Sequence, residues 1–548
     1  MILVLLLLVY LVKVYLLGAS LYIDDSNSYL NIFVSDSIVL LFSFLLFFIS
    51  CSLNKFWSRI VRVLIVAVFM LYILDLIIIF TFNSRLYLED IGKFIGDVDL
   101  KILDWKIYLL FSIFIISSFI FVVKSNLPSP NIKIKIIAIM SLLILACSYN
   151  VDSSVRSPFF KNYIFVNFQS TYKKEYSPEF ISSFESEDNE QCVTVKSIKP
   201  KNIVIFMFES WSYYHSYWFG DDSNWTPELD KLAKNNVAFK QFYANGFTTE
   251  AGLYALFTGR PVIPYKVKYG TDGALGLNKI YFDTSFPEEL SKLGYYTTFI
   301  TSGDLGFLQK RKWLESLKFN NIIGNGAFSP KDRKFLFYSV SDEKLYSKVY
   351  DIVSNSENNF VVVENVNTHQ PYYYPDGKDI KQSEEFAFRY ADKQLSEVIK
   401  KLIDEDTMIV VMSDHRAMTS MTRKEQSTSG RMSVSRVPMF MIWNNKQRIV
   451  DSVFQQTDIL PGIVNTVKGY QCHSGSRGAI LPLDNMVGTK CVYHARGDER
   501  SKVSVMCDGQ QFDVLLDGDD TGILDEYKHI DESVNYINSV RINSDKRN

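Results

Sequence analysis

A chain of 548 residues exceeds what one hydrophobic core usually serves, so two or three domains are expected. Its formal net charge is only −2 and no basic patch is interleaved with aromatics, which argues against a nucleic-acid partner, because phosphate neutralisation needs a basic surface. Leu, Ile, Val and Phe crowd the first 150 residues while the remainder has mixed charge, so a membrane portion followed by a globular portion is the simplest account.

Five apolar stretches stand out: Ile2 to Tyr22, Ile32 to Leu53, Ile60 to Phe82, Ile107 to Val123 and Ile132 to Cys147. Each is near the ~20 residues that a bilayer core demands. Lys133 and Lys135 open the fifth and can snorkel to the interface. A signal peptide is the alternative for the first, but Lys13 interrupts its apolar core and no small-residue cleavage site follows. Lys55, Arg59 and Arg62 between spans two and three, and Lys124, Lys133 and Lys135 between spans four and five, place those loops in the cytoplasm. The other two loops carry Asp24, Asp25, Glu89, Asp90, Asp97 and Asp99, which fits the outer side. An odd number of spans then puts everything after Cys147 outside the cytoplasmic membrane. Asp75 falls within the third span, where an ionisable group is a functional candidate by default unless it lies near the outer interface.

Residues 150–199 read as a juxtamembrane linker, polar and spotted with aromatics, with room for an amphipathic helix on the bilayer. From Asn202 onward, apolar runs of strand length alternate with helical segments, the pattern of a mostly parallel sheet flanked by helices. The strands are NIVIFMF, YYTTFIT, FVVVENV and TMIVVMS; TPELDKLAKNN is a helix capped at Thr226, and YADKQLSEVIKKLI is amphipathic. The expected layout is a five-helix transmembrane domain over 1–149, the linker over 150–199, an α/β domain over 200–485 and a small β appendage over 486–548. Cys192, Cys472, Cys491 and Cys507 are the outside cysteines; paired or free thiols are both open, and no connectivity can be read.

Ligands of such sheets gather at the carboxyl ends of the strands. That rule selects Glu209, Thr301 to Asp304, Asn367 to His369, and Asp414 with His415, all polar residues directly after apolar runs. Carboxylate oxygens plus an imidazole suit a divalent zinc or manganese ion, although a single strand-terminal acid is usually a solvated or capping residue. The segment NGFTTEAGLYALFTGRP places hydroxyls on a turn that opens a helix, where an anionic phosphate is stabilised by backbone N–H groups and the dipole. A threonine hydroxyl is a poor nucleophile alone, and metal coordination is one way to activate it.

The ordered segments NIVIFMFES, TPELDKLAKNNVAFKQFYA, TTEAGLYALFTGRP and MSDHRAM, spanning roughly Asn202 to Pro482, resemble the sulfatase-like alkaline phosphatase superfamily. The five-span anchor resembles lipoteichoic acid synthases and phosphoethanolamine transferases. TEAGLYAL, SGDLGFLQKRKWL, NTHQPY, SDHRAM and QTDILPGIVNTVKGY are similar to the phosphoglycerol transferases that decorate periplasmic glucans. The resemblance implies an alkaline-phosphatase-like fold, with Glu209, Thr249, Asp414 and His415 as ligands of Mn2+ or Zn2+ and Thr249 as nucleophile, nine residues before Thr258-Gly259-Arg260. Aligning on the Lys-Thr-Ser-Asp form of lipoteichoic acid synthases selects Thr248 instead. His369 matches a histidine for phosphate binding or leaving-group protonation, and Asp304, Lys310 and Trp313 are candidates for the donor or acceptor pocket, each against ordinary packing. His215, His473, His494 and His529 read as structural.

Threonine at the nucleophile position departs from the cysteine or serine that sulfatases convert to formylglycine, so sulfate-ester hydrolysis is not expected. Phe247 stands two residues before Thr249, and its place is that of the lysine of lipoteichoic acid synthases, which points to single transfer rather than polymerisation. The expected activity is transfer of phosphoglycerol from a phospholipid donor in the membrane, phosphatidylglycerol, to a hydroxyl of a glycan acceptor on the periplasmic or outer face. Phosphoethanolamine transfer to lipid A or a glycan and an inactive membrane scaffold of the same fold are the alternatives.

Overall fold

The computed structural model describes residues 11–15, 26–82, 85–88, 105–123, 131–133, 136, 139–142, 161–168, 176–183, 190–220, 222–263, 273–278, 280–356, 358–404, 406–496, 502–517, 520–523 and 530–544. The chain divides into two compact units, Met1–Thr171 and Tyr172–Asn548.

In the first unit, helices Ser26–Ser52 and Lys55–Phe82 form a hairpin around Leu53 and Asn54. Within them, Ile32–Ser52 and Lys55–Ile79 are long and apolar enough to cross a membrane. A third helix, Trp105–Val123, covers the fourth expected stretch. The first and fifth stretches lie largely outside the described residues, so the five-helix expectation extends beyond them. The basic residues expected in a loop between the second and third spans are instead on the opening turns of a helix, because the turn is only two residues long. Arg62 is buried there, donating to the Phe121 carbonyl at 3.3 Å.

This unit also takes in residues 161–168, expected to be linker. Lys13 and Arg85 both donate to the Lys161 carbonyl, at 3.1 and 2.9 Å. Asn162 bonds Ser35 through backbone and side chain, and Tyr163 donates to the Val68 carbonyl at 2.8 Å. Asp75 accepts two bonds from Arg85, at 3.0 and 2.8 Å, and one from the Leu86 amide. The acid within this long apolar helix is therefore half of a buried ion pair.

In the second unit eight strands build one sheet: β1 Asn202–Phe208, β2 Val237–Tyr243, β3 Tyr296–Thr301, β4 Asn321–Ile323, β5 Asn359–Glu364, β6 Thr407–Ser413, β7 Met439–Ile442 and β8 Arg448–Gln455. The order is β8-β2-β7-β6-β1-β5-β3-β4, parallel throughout except for β7, which runs antiparallel to both neighbours. Every residue of β1, β5 and β6 is buried because both sheet faces are covered. Alternation divides them: Ile203, Ile205, Met207, Val410 and Met412 face one core, and Val204, Phe206, Phe208, Ile409 and Val411 the other. Helices Thr249–Thr258, Lys310–Ser316 and Ile459–Lys468 cover the first face; Pro227–Lys234, Asp342–Ser354 and Glu384–Leu402 cover the second. Each such buried aliphatic contributes roughly 1.5–3 kcal/mol.

Thr226 does precede the helix Pro227–Lys234, but its hydroxyl faces the Trp211 indole N–H at 3.3 Å. The first-turn amides of Glu228 and Leu229 donate instead to the Asp392 carboxylate, at 3.1 and 2.8 Å.

Cys192, Cys472, Cys491 and Cys507 are all paired. Cys192 bonds Cys472 across the short ribbon Gln191–Thr194 with Tyr470–His473, and Cys491 bonds Cys507 across two strands of the appendage. The appendage has four antiparallel strands, Cys491–His494, Lys502–Cys507, Gln510–Asp517 and Asp520–Ile523. It is not all β: helix Ile530–Asn543 closes it, seating Ile537 and Val540 against Val503, Val505 and Val514.

Candidate active site

Three chain segments converge at the carboxyl edge of the sheet. β1 and β6 pair in parallel with Phe208 opposite Ser413, so the residues that follow, Glu209 and Asp414, leave the sheet side by side. Ser210 turns the chain at a positive φ of 59°, which brings its amide 2.8 Å from Asp414 Oδ1 and its hydroxyl 2.6 Å from Glu209 Oε1. The helix Thr249–Thr258 approaches from the side, with Thr249 as its first residue. Gly252 permits this approach, since a Cβ there would fall 2.2 Å from the Asp414 carbonyl oxygen.

The functional atoms are close. Thr249 Oγ1 donates to Glu209 Oε2 at 3.0 Å and lies 3.4 Å from His415 Nε2. His415 Nε2 is also 3.4 Å from Glu209 Oε1 and 3.4 Å from Asp414 Oδ2. Its Nδ1–H donates to the Arg416 carbonyl at 2.7 Å, which turns Nε2 toward the centre. Thr248, the rival hydroxyl, is the N-cap and accepts from the Ala251 amide at 3.4 Å.

A supporting layer holds these groups, and of it the strand-end rule selected only Thr368, within Asn367 to His369. Asn365 Oδ1 accepts from the Glu209 amide at 2.9 Å, and the Thr368 hydroxyl donates to the Glu209 carbonyl at 2.8 Å. Gln456 Nε2 donates to the Asp414 carbonyl at 2.5 Å, while its Oε1 accepts from the Asn245 amide at 2.9 Å. Asn365 directly follows the apolar strand β5, so the strand-end rule applied more widely would have found it, whereas Gln456 follows β8, whose Arg448, Asp451 and Ser452 are exposed polar residues.

The electrostatics are unbalanced. Burial, and next the charge of Glu209, push the Asp414 carboxyl well above its ordinary range. Burial works against a charged His415, yet Asp414 and Glu209 beside it raise the imidazole to about 10. Burial would also raise Glu209, but the hydrogen bond and charge of His415 and the charge of His369 hold it well below the carboxylate range. Two carboxylates compete here for one cationic partner, and Asp414 Oδ2, fully buried, has no hydrogen-bond partner. Ligand atoms of Glu209, Asp414 and His415 all lie within 4.8 Å of one another. Hard oxygens, one imidazole nitrogen and an orphaned buried oxygen fit a divalent cation such as Zn2+ or Mn2+. The other acidic group with sulfur, Glu190 with Cys192 and Cys472, does not fit, because its sulfurs are bonded to each other.

The remaining expected residues divide. His369 is near enough for its charge to act on Glu209; its Nδ1 meets the Gln370 carbonyl at 2.5 Å, and its ring stands edge-on to Phe337. Lys310 is buried, with Nζ 2.7 and 2.6 Å from the two oxygens of Glu364 and 3.7 Å from Glu250. It reaches the site region already clamped by carboxylates. Asp304 accepts from the Gly306 amide at 2.8 Å, which closes a local turn. Trp313 corrects its expectation: it is 0% exposed and packs against Phe257 in the core, so it offers no face to a head group or sugar. His215, stacked between Trp225 and Phe388, and His494, bonded to the Ala244 carbonyl, are buried as expected of structural residues. His529 lies outside the described residues.

Residues 201–470 match the Sulfatase family model. Among solved structures the chain is similar to a protein in the alkaline phosphatase superfamily from Vibrio parahaemolyticus, at 21% identity over 68% of this chain and 91% of that one, with a TM-score of 0.45. It is also similar to the lipoteichoic acid synthase LtaP from Listeria monocytogenes, at 19% identity over 68% and 94%, with a TM-score of 0.46. A third likeness is to the Streptococcus pyogenes phosphoglycerol transferase GacH in complex with sn-glycerol-1-phosphate, at 13% identity over 54% and 83%, with a TM-score of 0.37.

Proposed function

We propose, from the match of residues 201–470 to the Sulfatase family model, that the chain is a membrane-anchored phosphotransferase that moves phosphoglycerol from phosphatidylglycerol to a hydroxyl of a surface or periplasmic glycan, through a phosphorylated Thr249. The observation that carries this reading is the placement of the Thr249 hydroxyl, at a helix N-terminus and within 3.0–3.4 Å of Glu209 and His415, beside a carboxylate oxygen that has no partner. The apolar helices Ile32–Ser52 and Lys55–Ile79 support anchoring, which suits a donor supplied from the bilayer. Two disulfides support an oxidising, outer-face location.

Glu209, Asp414, His415 and Thr249 would hold the divalent ion, which supplies charge neutralisation for the phosphoryl oxygens and lowers the pKa of the hydroxyl. Thr249 Oγ1 attacks phosphorus and its proton leaves toward Glu209 Oε2. The bond from phosphorus to the diacylglycerol oxygen breaks, and His369 protonates that oxygen from Nε2, because Nδ1 is engaged by Gln370. In the second half, a glycan hydroxyl gives its proton to the now neutral His369 and attacks phosphorus, and Thr249 Oγ1 departs and recovers its proton. The helix N-terminus, through its dipole and first-turn amides, steadies the anionic phosphate in both steps.

The test is intact-mass analysis of the full chain incubated in lipid with phosphatidylglycerol or phosphatidylethanolamine and Mn2+ or Zn2+, beside Thr249→Ala. A glycerol-phosphate adduct absent from the variant is expected. An ethanolamine-phosphate adduct would replace the donor, and no adduct with metal bound would contradict the reaction.

A further inference from the structure

The segment that follows β5 holds Glu209 and carries His369. Asn365 Oδ1 accepts from the Glu209 amide at 2.9 Å and the Thr368 hydroxyl donates to the Glu209 carbonyl at 2.8 Å, so Glu209 is held on both sides of its backbone. His369 comes next, and its amide donates to the Val366 carbonyl at 2.9 Å. One side chain from outside grips this segment twice. Asp342, the first residue of the helix Asp342–Ser354, accepts on Oδ2 from Asn365 Nδ2 at 3.2 Å, and its carboxylate also accepts from the Asn367 amide. In return the Asp342 amide donates to Asn367 Oδ1 at 2.8 Å. Asp342, Asn365, Asn367 and Thr368 are all buried.

The chemistry of Asn365 makes this grip directional. A primary amide has one accepting and one donating end of nearly equal shape. The orientation that serves Glu209 turns Nδ2 toward Asp342 and toward Thr368 Oγ1, 3.2 Å away. Turned over, the amide would set oxygen against the Asp342 oxygen and N–H against the Glu209 N–H, leaving buried groups unsatisfied at both ends. Thr368 has given its only hydroxyl proton to Glu209, so toward Asn365 it accepts. An acid that opens a helix is commonly a solvated partner of the dipole. Asp342 is instead wholly buried, burial pushes its carboxyl up to about 7, and its Oδ1 has no hydrogen-bond partner. Such incomplete pairing works against stability, which points to a role in the site.

Resting on the transferase reading above, we propose that Asp342 is a positioning residue of the same site, which through Asn365 sets Glu209 toward the metal and through Asn367 fixes the loop that bears His369. A metal ligand is effective when its oxygen is held where the ion needs it, and partners behind the ligand supply that hold. Glu209 leaves the end of β1 and His369 the loop after β5; Asp342 ties the two into one frame without touching substrate.

Two measurements on the chelator-treated, full-length protein test this. Calorimetric titration with Mn2+ or Zn2+ is expected to show affinity lowered roughly 10–100-fold in Asp342→Ala, and largely recovered in Asp342→Asn, which keeps an acceptor oxygen at the same place. Asp342→Leu fills the space without that oxygen and reads the same loss if the alanine variant does not fold. The double variant Asp342→Ala with Asn365→Ala is expected to bind no more weakly than Asn365→Ala alone, because Asp342 acts through Asn365. Deuterium exchange at the Glu209 amide, read without metal or lipid, is expected to speed roughly tenfold in Asp342→Ala and stay slow in Asp342→Asn. Unchanged metal affinity and unchanged exchange in Asp342→Ala and Asp342→Leu would overturn the proposal and leave the transferase reading intact. Losses that multiply in the double variant would overturn it too, as would a fall in Tm with affinity and exchange unaltered. If the wild type forms no adduct with any lipid, the transferase reading fails, and the metal titration with the exchange at Glu209 still decides whether Asp342 positions that ligand.

Discussion

In the first unit, Lys13 pairs with Asp36 at 2.8 Å and Arg85 takes Asp75 in two bonds, so each of these buried carboxylates has its own cation; in the second unit, Glu209 and Asp414 share the single imidazole of His415. Asp36 Oδ2 lacks a hydrogen bond, but its carboxylate is already neutralised, whereas the orphaned Asp414 Oδ2 faces another carboxylate's partner. Both clusters consist of buried charge at the ends or within apolar segments, and burial alone does not separate them. Charge balance does. A closed lattice holds chain segments together, here residues 161–168 against the apolar helices of the first unit, while an unbalanced one is a place where a cation belongs.

This comparison can be broken by removing one partner from each cluster. Asp75→Ala removes the carboxylate that neutralises the buried Arg85, and is expected to cost about 3–5 kcal/mol, read as a loss of Tm in detergent. Replacing both, Asp75→Leu with Arg85→Met, should recover most of it. Failure of the single variant to destabilise would mean the pair is not the lock described.

Asp342 sharpens the contrast on the catalytic side. Burial pushes its carboxyl up to about 7, against a hydrogen bond from Asn365, which in turn holds the Glu209 amide. A raised carboxyl stabilises the fold fully below the unfolded value near ~4, and that contribution is lost as pH rises through about 7. Tm is therefore expected to fall between those limits by an equivalent of about 2–4 kcal/mol, and Asp342→Asn should flatten that slope. Next in size, Gln456→Ala removes the donor to the Asp414 carbonyl and is expected to lower metal affinity or adduct rate roughly 10–100-fold without a comparable loss of Tm. Thr248→Ala gives the smallest effect, about 1 kcal/mol for a lost helix cap with adduct formation retained. A lost adduct there would move the nucleophile from Thr249 to Thr248.

Much of the site was legible because strand ends are legible. Apolar runs that stop at Glu209 and at Asp414-His415 mark the carboxyl edge of a sheet, and the register of β1 with β6 brings those stops together. Partners distant in sequence were not legible: nothing near Lys310 foretells Glu364, and nothing near Phe247 foretells Arg496. Trp313 was misread although its helix carried the signal, since Trp313, Leu314 and Leu317 share one apolar face at helical spacing. The helix Ile530–Asn543 was missed in the same way, with Ile530, Val534, Ile537 and Val540 recurring at helical intervals beneath a run of strands. Cysteine pairing needed the registers that set Cys192 opposite Cys472 and Cys491 opposite Cys507.

The most direct test of the unbalanced cluster is a calorimetric titration of Mn2+ or Zn2+ into chelator-treated full-length protein, beside Asp414→Asn. Saturable binding of a single ion per chain, lost in the variant while its Tm stays within a few degrees of the parent, is the predicted result. Absence of saturable binding, or binding that Asp414→Asn leaves intact, would contradict the assignment of Glu209, Asp414 and His415 as a metal centre.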